Sequence, residues 1–239
     1  MTRLLLLLAA LCGSGCIAPD DPVFGGFLLG LPYTSEAGQE AELTVFVGRG
    51  RDAVTIATNP IEDAEAFATT GDQRFVLPHV DSGFYLSDSQ EVPGLRYVAE
   101  TSWTLGATFD GVTVSGSGES PPPPQIFGGP LDGVWPANTA LDLSLPLDDA
   151  DRGFYWVIGP DGEVSSTDEP LDTGSLLEWL DEEPGYVDVH IPAEAFSSPG
   201  RHELVVVAAR DVRDDSIRGA HPRSAVALAN SSSIQFEVQ

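Results

Sequence analysis

The sequence predicts an all-β protein: two tandem β-sandwich domains joined by a proline-rich linker. Three observations predict it. Short runs of alternating or wholly apolar residues recur about every 8–12 residues, with Gly, Pro, Asp and Asn between them. Only one stretch carries a sustained helical period. And the run Ser115-Gly-Ser-Gly-Glu-Ser-Pro-Pro-Pro-Pro124 interrupts the pattern near the middle of the 239 residues.

Ahead of the body, Arg3 is followed by an apolar run from Leu4 to Cys12, then by Gly13, Ser14, Gly15 and Cys16. That run suits a signal peptide and is too short to cross a bilayer, which takes about 20 apolar residues. The pattern resembles the lipobox of bacterial lipoproteins, with Gly13 standing where the family usually has Leu. The resemblance implies removal of residues 1–15 and a lipidated Cys16 as the first mature residue. Ile17, where Asp would signal inner-membrane retention, then implies the outer membrane. Acyl chains contribute about 0.8 kcal/mol per buried methylene, so two or more give lasting attachment. Residues 16–21 read as a tether.

The first domain is expected over 22–114. Glu42-Leu-Thr-Val-Phe-Val47 begins with alternation and becomes apolar, and Ala53-Val-Thr-Ile-Ala-Thr58 alternates throughout. A strand is expected in Arg96–Leu105, from Tyr97, Val98, Trp103 and Leu105. Phe109-Asp-Gly-Val112 carries the Asp-Gly hairpin signal. Asn59-Pro60, Gly71-Asp72 and Asp81-Ser-Gly83 supply turns, and Ile61–Phe67 is expected to make one short helical turn. Across 115–124, glycine and serine favour flexible coil and four prolines a stiff extended rod, since proline lacks a ladder donor.

The second domain is expected over 125–239. Leu141-Asp-Leu-Ser-Leu145 alternates with its leucines on one face. Phe154-Tyr-Trp-Val-Ile158 is apolar on both faces, as a central strand should be, and Gly159-Pro-Asp-Gly162 closes it. Ser175–Leu180 is the helix candidate, with Leu176, Leu177 and Leu180 on one face and Thr173 or Ser175 as cap. Tyr186-Val-Asp-Val-His-Ile191 puts Tyr186, Asp188 and His190 on one side. Glu203–Ala209 reads as a buried strand, and Ser232–Val238 closes the fold with Ile234, Phe236 and Val238 inward. Ser198-Pro-Gly-Arg-His-Glu-Leu204 and its echo Pro93-Gly-Leu-Arg-Tyr97 resemble the late-strand entry of immunoglobulin-like and fibronectin type III-like domains. The resemblance implies a corner tyrosine after Pro-Gly; Tyr97 matches it, whereas His202 stands there in the second half.

Composition bounds the function. Both cysteines, Cys12 and Cys16, belong to the leader, so the mature body has no disulfide and depends on packed cores. Eleven arginines and no lysine face 37 acids; losing Arg3 gives 10 − 37 = −27. Such a polyanion is a poor nucleic-acid partner and does not adhere to anionic lipid, which leaves membrane attachment to Cys16. His79, His190, His202 and His221 show no zinc-site spacing and read as surface or internally satisfied histidines; a meeting of His190 and His202 across strands is the alternative. Without lysine there is neither a lysine-bearing phosphate loop nor Schiff-base chemistry, and no GxSxG elbow is present. Asp148-Asp-Ala-Asp-Arg-Gly153 fails the EF-hand pattern, having Ala150 and Arg152 at positions 3 and 5. Arg210–Arg223 gathers Arg210, Arg213, Arg218 and Arg223 in one loop with Asp211, Asp214 and Asp215; local Arg–Asp pairing that orders the loop is the plainer reading, and a surface suited to carboxylates or anionic glycans the alternative. No catalytic, cofactor-binding or metal residue is singled out. The expectation is a lipid-anchored, non-enzymatic binding, adhesion or scaffold module with an envelope protein or glycan as partner. A carboxylate-based glycan hydrolase and a calcium-dependent module are the alternatives.

Overall fold

A computed structural model describes residues 22–35, 38–49, 59–130, 132–146, 152–167, 186–212, 217 and 224–239. Among them the chain is all-β, as expected, with one short 3-10 turn at Ala193–Phe196. No helix among the described residues is long and apolar enough to cross a membrane. The expected leader, Cys16, the Ala53–Thr58 strand, the Asp148 loop, the Ser175–Leu180 helix and most of the arginine loop lie outside the described residues.

The frame is one long sheet. It contains β1 (Pro22–Ser35), β2 (Gly38–Arg49), β5 (His79–Asp81), β6 (Phe84–Asp88), β11 (Arg152–Ile158), β12 (Val164–Thr167), β14 (Gly200–Val212) and β15 (Ala225–Val238). The order is β12-β11-β14-β15-β1-β2-β6-β5, and the short β9 (Val134–Trp135) runs beside the far end of β15. The first and last strands are parallel neighbours, Gly25 opposite Ala225 through Gly30 opposite Asn230. Hydrogen bonding therefore joins the two halves of the sequence directly. β11 is an interior strand with Phe154, Tyr155 and Val157 buried, as its two apolar faces required.

Side chains alternate across a strand, and β15 shows the consequence. Its residues Val226 and Leu228 enter one core, Phe236 and Val238 on the same face enter another, and Ala227 and Ala229 point the opposite way. The first core is closed by a second sheet of β3 (Glu65–Thr70), β4 (Gln73–Leu77), β7 (Ser102–Phe109) and β8 (Val112–Glu119), in the order β4-β3-β7-β8. Phe24, Leu28, Leu43, Val45 and Val47 meet Trp103, Leu105, Ala107 and Phe75 there. The second core is closed by the pair β10 (Leu141–Pro146) and β13 (Tyr186–Ile191), whose Leu141, Leu143, Val189 and Ile191 pack on Tyr155, Val157, Leu204 and Val206. On the reverse of the long sheet, Phe27, Leu29, Phe46, Phe154, Val205 and Val207 form a third apolar cluster.

Four local expectations are corrected. Ile61–Phe67 makes no helical turn: Glu65–Thr70 is a strand paired on both sides, and that pairing overrides the helix preference of Ala and Glu. Residues 96–101 precede β7 rather than belonging to it, because the chain turns at Gly94 and again at Glu100, whose φ values are 88° and 55°. Ser115–Glu119, expected as coil, completes β8, where Gly116 lies so close to Val226 that a Cβ would come within 2.6 Å of its Cγ2. His190 and His202 do not meet: His190 sits on the outer face of β13, and His202 is buried between Phe196 and Phe236. The Asp110-Gly111 hairpin forms as expected, with positive φ at both residues.

The proline run is tied down at the seam between the two cores. Pro121 is buried, and its carbonyl accepts from the Tyr97 hydroxyl at 2.9 Å and from Asn230 Nδ2 at 3.1 Å. Asn230 Oδ1 accepts from the Ser231 amide, and Ser231 Oγ donates to the Gly30 carbonyl at 2.6 Å. Burial raises the Tyr97 phenol well above its ordinary range. Tyr97 is fully inside and hydrogen-bonded to backbone.

Candidate functional site

The outer face of the β10–β13 pair carries the candidate site. In each strand the leucine or valine–isoleucine positions face the core, so the residues between them must face out. Those residues are Asp142 and Ser144 on β10 and Asp188 and His190 on β13. The antiparallel register sets Asp142 opposite His190 and Ser144 opposite Asp188. Phe127 is bridged to Ser144 on the other edge of β10, its carbonyl accepting the Ser144 amide at 3.3 Å. Phe127, Ser144 and Asp188 therefore stand in one row across the strands, and Asp142 and His190 form a second pair beside them.

Both pairs are closed by hydrogen bonds. His190 Nδ1 lies 2.7 Å from Asp142 Oδ1, and Ser144 Oγ donates to Asp188 Oδ1 at 3.0 Å. Gly128 and Gly129, with φ of 84° and 97°, turn the chain away past Phe127 and leave bare backbone over Leu143. The result is an open groove of about 560 Å³ lined by Phe127, Gly128, Asp142, Ser144, Asp188 and His190, with Leu143 and Val189 beneath. Phe127 is 53% exposed, and the side chains of His190 and Asp142 are 67% and 83% exposed. The groove is open, with the polar side chains of Asp142, Ser144, Asp188 and His190 along it and the Phe127 ring at one end.

The other residues singled out from sequence do different work. Among the described residues of the arginine stretch, Arg210 donates to the Glu119 carbonyl at 3.1 Å, which ties β14 to the end of β8, and Ile217 is buried in the first core. His79 packs against Tyr85 at 5.2 Å. His202 Nδ1 lies 3.0 Å from the Gly200 carbonyl in the second core. No group of three His, Cys, Asp or Glu among the described residues is arranged to hold a metal ion. Asp188 and His190 on one side of their strand were legible in advance; their partnership with Asp142, Ser144 and Phe127 depends on the pairing of β10 with β13 and was not.

No family model matches the chain, and no curated protein matches it. Among solved structures it is similar to the fibronectin(III)-like modules of Clostridium thermocellum CbhA, with 16% identity, 92% of this chain and 90% of that one covered, and a TM-score of 0.22. It is also similar to the Yersinia pseudotuberculosis adhesin InvE, at 10% identity over 93% of this chain and 60% of that one, with a TM-score of 0.25. For the IG1 and IG2 domains of DIP-gamma the values are 13% identity, 93% and 99% coverage, and a TM-score of 0.26. The all-β architecture itself rests on the chain's own strands and their pairing.

Proposed function

We propose that this protein is a non-catalytic binding module, anchored to the bacterial outer membrane by lipid on Cys16, that presents its β-layers to an envelope protein or glycan. The observation that carries the binding reading is the β10–β13 groove, an open recognition surface whose polar groups are pre-oriented by each other. Asp142, Ser144, Asp188 and His190 are held by cross-strand hydrogen bonds before any ligand arrives, which reduces the ordering cost of binding. The anchor reading is supported by the sequence of Leu4–Cys16.

A hydrolase reading has one observation in its favour, two carboxylates on neighbouring cross-strand pairs, Asp142 and Asp188. Glycoside hydrolysis at neutral pH needs one of them kept protonated, and burial is the usual cause. The Asp142 side chain is 83% exposed and Asp188 is exposed as well, so the two lie on an open face rather than in a closed cleft. Binding is the better reading.

The test has two arms. In the first, the mass of the mature N-terminus is read from a membrane fraction, alongside Cys16→Ala. A diacylated or triacylated Cys16, with the variant released to the soluble fraction, is expected; an unmodified terminus on an already soluble protein refutes the anchor. In the second, release of reducing ends from envelope glycan is measured, and turnover would refute the non-catalytic reading.

A further inference from the structure

We propose that the β10–β13 groove binds a neutral sugar unit, stacked on Phe127 and hydrogen-bonded along the two cross-strand pairs; this rests on the reading of the groove as the binding site. The argument begins with what the groove lacks. The carboxylate oxygens of Asp142 and Asp188 are hydrogen-bond acceptors, and the Ser144 hydroxyl hydrogen is committed to Asp188, so its oxygen also accepts. A ligand must therefore bring several donors. Hydrogen bonds to ionised carboxylates are the strong kind, and sugar hydroxyls supply them.

Geometry selects among donor-rich ligands. The pairs Asp142/His190 and Ser144/Asp188 are two residues apart along the strands, about 7 Å, and neighbouring strands lie about 4.8 Å apart. One ammonium group makes hydrogen bonds of about 3 Å and cannot serve both pairs. A six-membered ring with hydroxyls on opposite sides can. Such a ring also has an apolar C–H face, and Phe127, 53% exposed at the end of the row, is the one phenyl ring among the groove's described lining residues. Asp142 Oδ1 already has a hydrogen-bond partner in His190 Nδ1, 2.7 Å away, which leaves fewer of its acceptor sites open to an incoming cation. Its volume falls within the range of about 300–1,000 Å³ typical of small-molecule sites.

The experiment is calorimetric titration of the full chain, in detergent, with a panel of neutral mono- and disaccharides at low and high salt. Saturable binding to at least one sugar is expected, with an affinity that salt leaves unchanged. Phe127→Ala should weaken it by about tenfold or more, Asp188→Asn should weaken it too, and Val80→Ala, exposed on another strand, should leave it intact. All four proteins are checked for the same far-UV circular dichroism. No binding across the panel, or binding that survives Phe127→Ala, overturns the proposal. Binding instead to an arginine-rich peptide, weakened by salt, overturns the sugar but keeps the groove as a binding site. If neither probe binds and mutation of the groove leaves capture of an envelope partner unchanged, the groove itself is refuted.

Discussion

Tyr97→Phe is the sharpest probe of how the two halves are joined. The substitution removes one oxygen, which donates at 2.9 Å to the Pro121 carbonyl, and leaves the ring in place. That carbonyl keeps its bond from Asn230 Nδ2, so no buried acceptor is stranded. The loss at pH 8 should therefore be that of one ordinary hydrogen bond, about 1 kcal/mol. At alkaline pH the comparison changes. Burial raises the folded Tyr97 phenol above its unfolded value of about 10, so above pH 10 the unfolded chain gives up a proton that the folded chain retains. Fewer protons on the unfolded state means that stability falls as pH rises. At pH 11, one unit above the unfolded value, the wild type has lost RT ln 11, about 1.4 kcal/mol, through this residue alone. Phenylalanine loses none of it. Burial also raises Tyr85 and Tyr33, but both remain in the variant and cancel in the difference. Urea melts of the two proteins should thus be separated by about 1 kcal/mol at pH 8 and should converge, or cross slightly, by pH 11. A gap that stays constant would show that the phenol ionises alike in both states, and the buried seam would be wrong.

Three further outcomes follow from the packing. Gly30→Ala should cost about 1–3 kcal/mol in the same melts, because its Cβ would stand 2.7 Å from the Tyr97 ring and 2.8 Å from Asn230 Oδ1, with nowhere for either to move. Thr44→Val should stabilise by about 1 kcal/mol, since the Thr44 hydroxyl is fully buried with no partner among the described residues and valine keeps its shape; a loss would mean the hydroxyl has a role. Burial and then the facing Asp88 raise the Glu42 carboxyl, so its proton is held more tightly folded than unfolded and stability drops as pH rises through the unfolded value toward the folded one. Glu42→Gln should accordingly gain up to about 1 kcal/mol at pH 7, and that gain should vanish below pH 4.

The fold class was legible because binary alternation needs no partner to be visible. Leu141–Leu145, Tyr186–Ile191 and Ser232–Val238 each show it, and each is a strand. What escaped is what long-range pairing creates. Phe24-Gly-Gly-Phe-Leu-Leu-Gly-Leu31 has three glycines and apolar residues on both faces, so no period of two marks it as β1. Pairing on both sides, antiparallel to β2 and parallel to Ala225–Asn230, makes it a strand, and two of its glycines are demanded by neighbours far away in sequence, Leu105 beside Gly26 and Tyr97 beside Gly30. The same holds for Gly116 against Val226: a Ser/Gly stretch reads locally as coil because the reason for its small residues lies more than a hundred positions away.

The groove follows the same logic one level up. Each strand announces its own outward residues, Asp142 with Ser144 and Asp188 with His190, but nothing local says that the strands are neighbours or in what register. A shift of one residue would turn every one of these side chains into the core and bring the leucines out. The buried Leu141, Leu143, Val189 and Ile191 fix the register, and the register in turn creates the Asp142–His190 and Ser144–Asp188 pairs. The hydrophobic core is thus the positioning device for the polar row above it. A polar substitution of Leu143 or Val189 should accordingly damage ligand binding and stability together, whereas Phe127→Ala, on an exposed ring, should separate them.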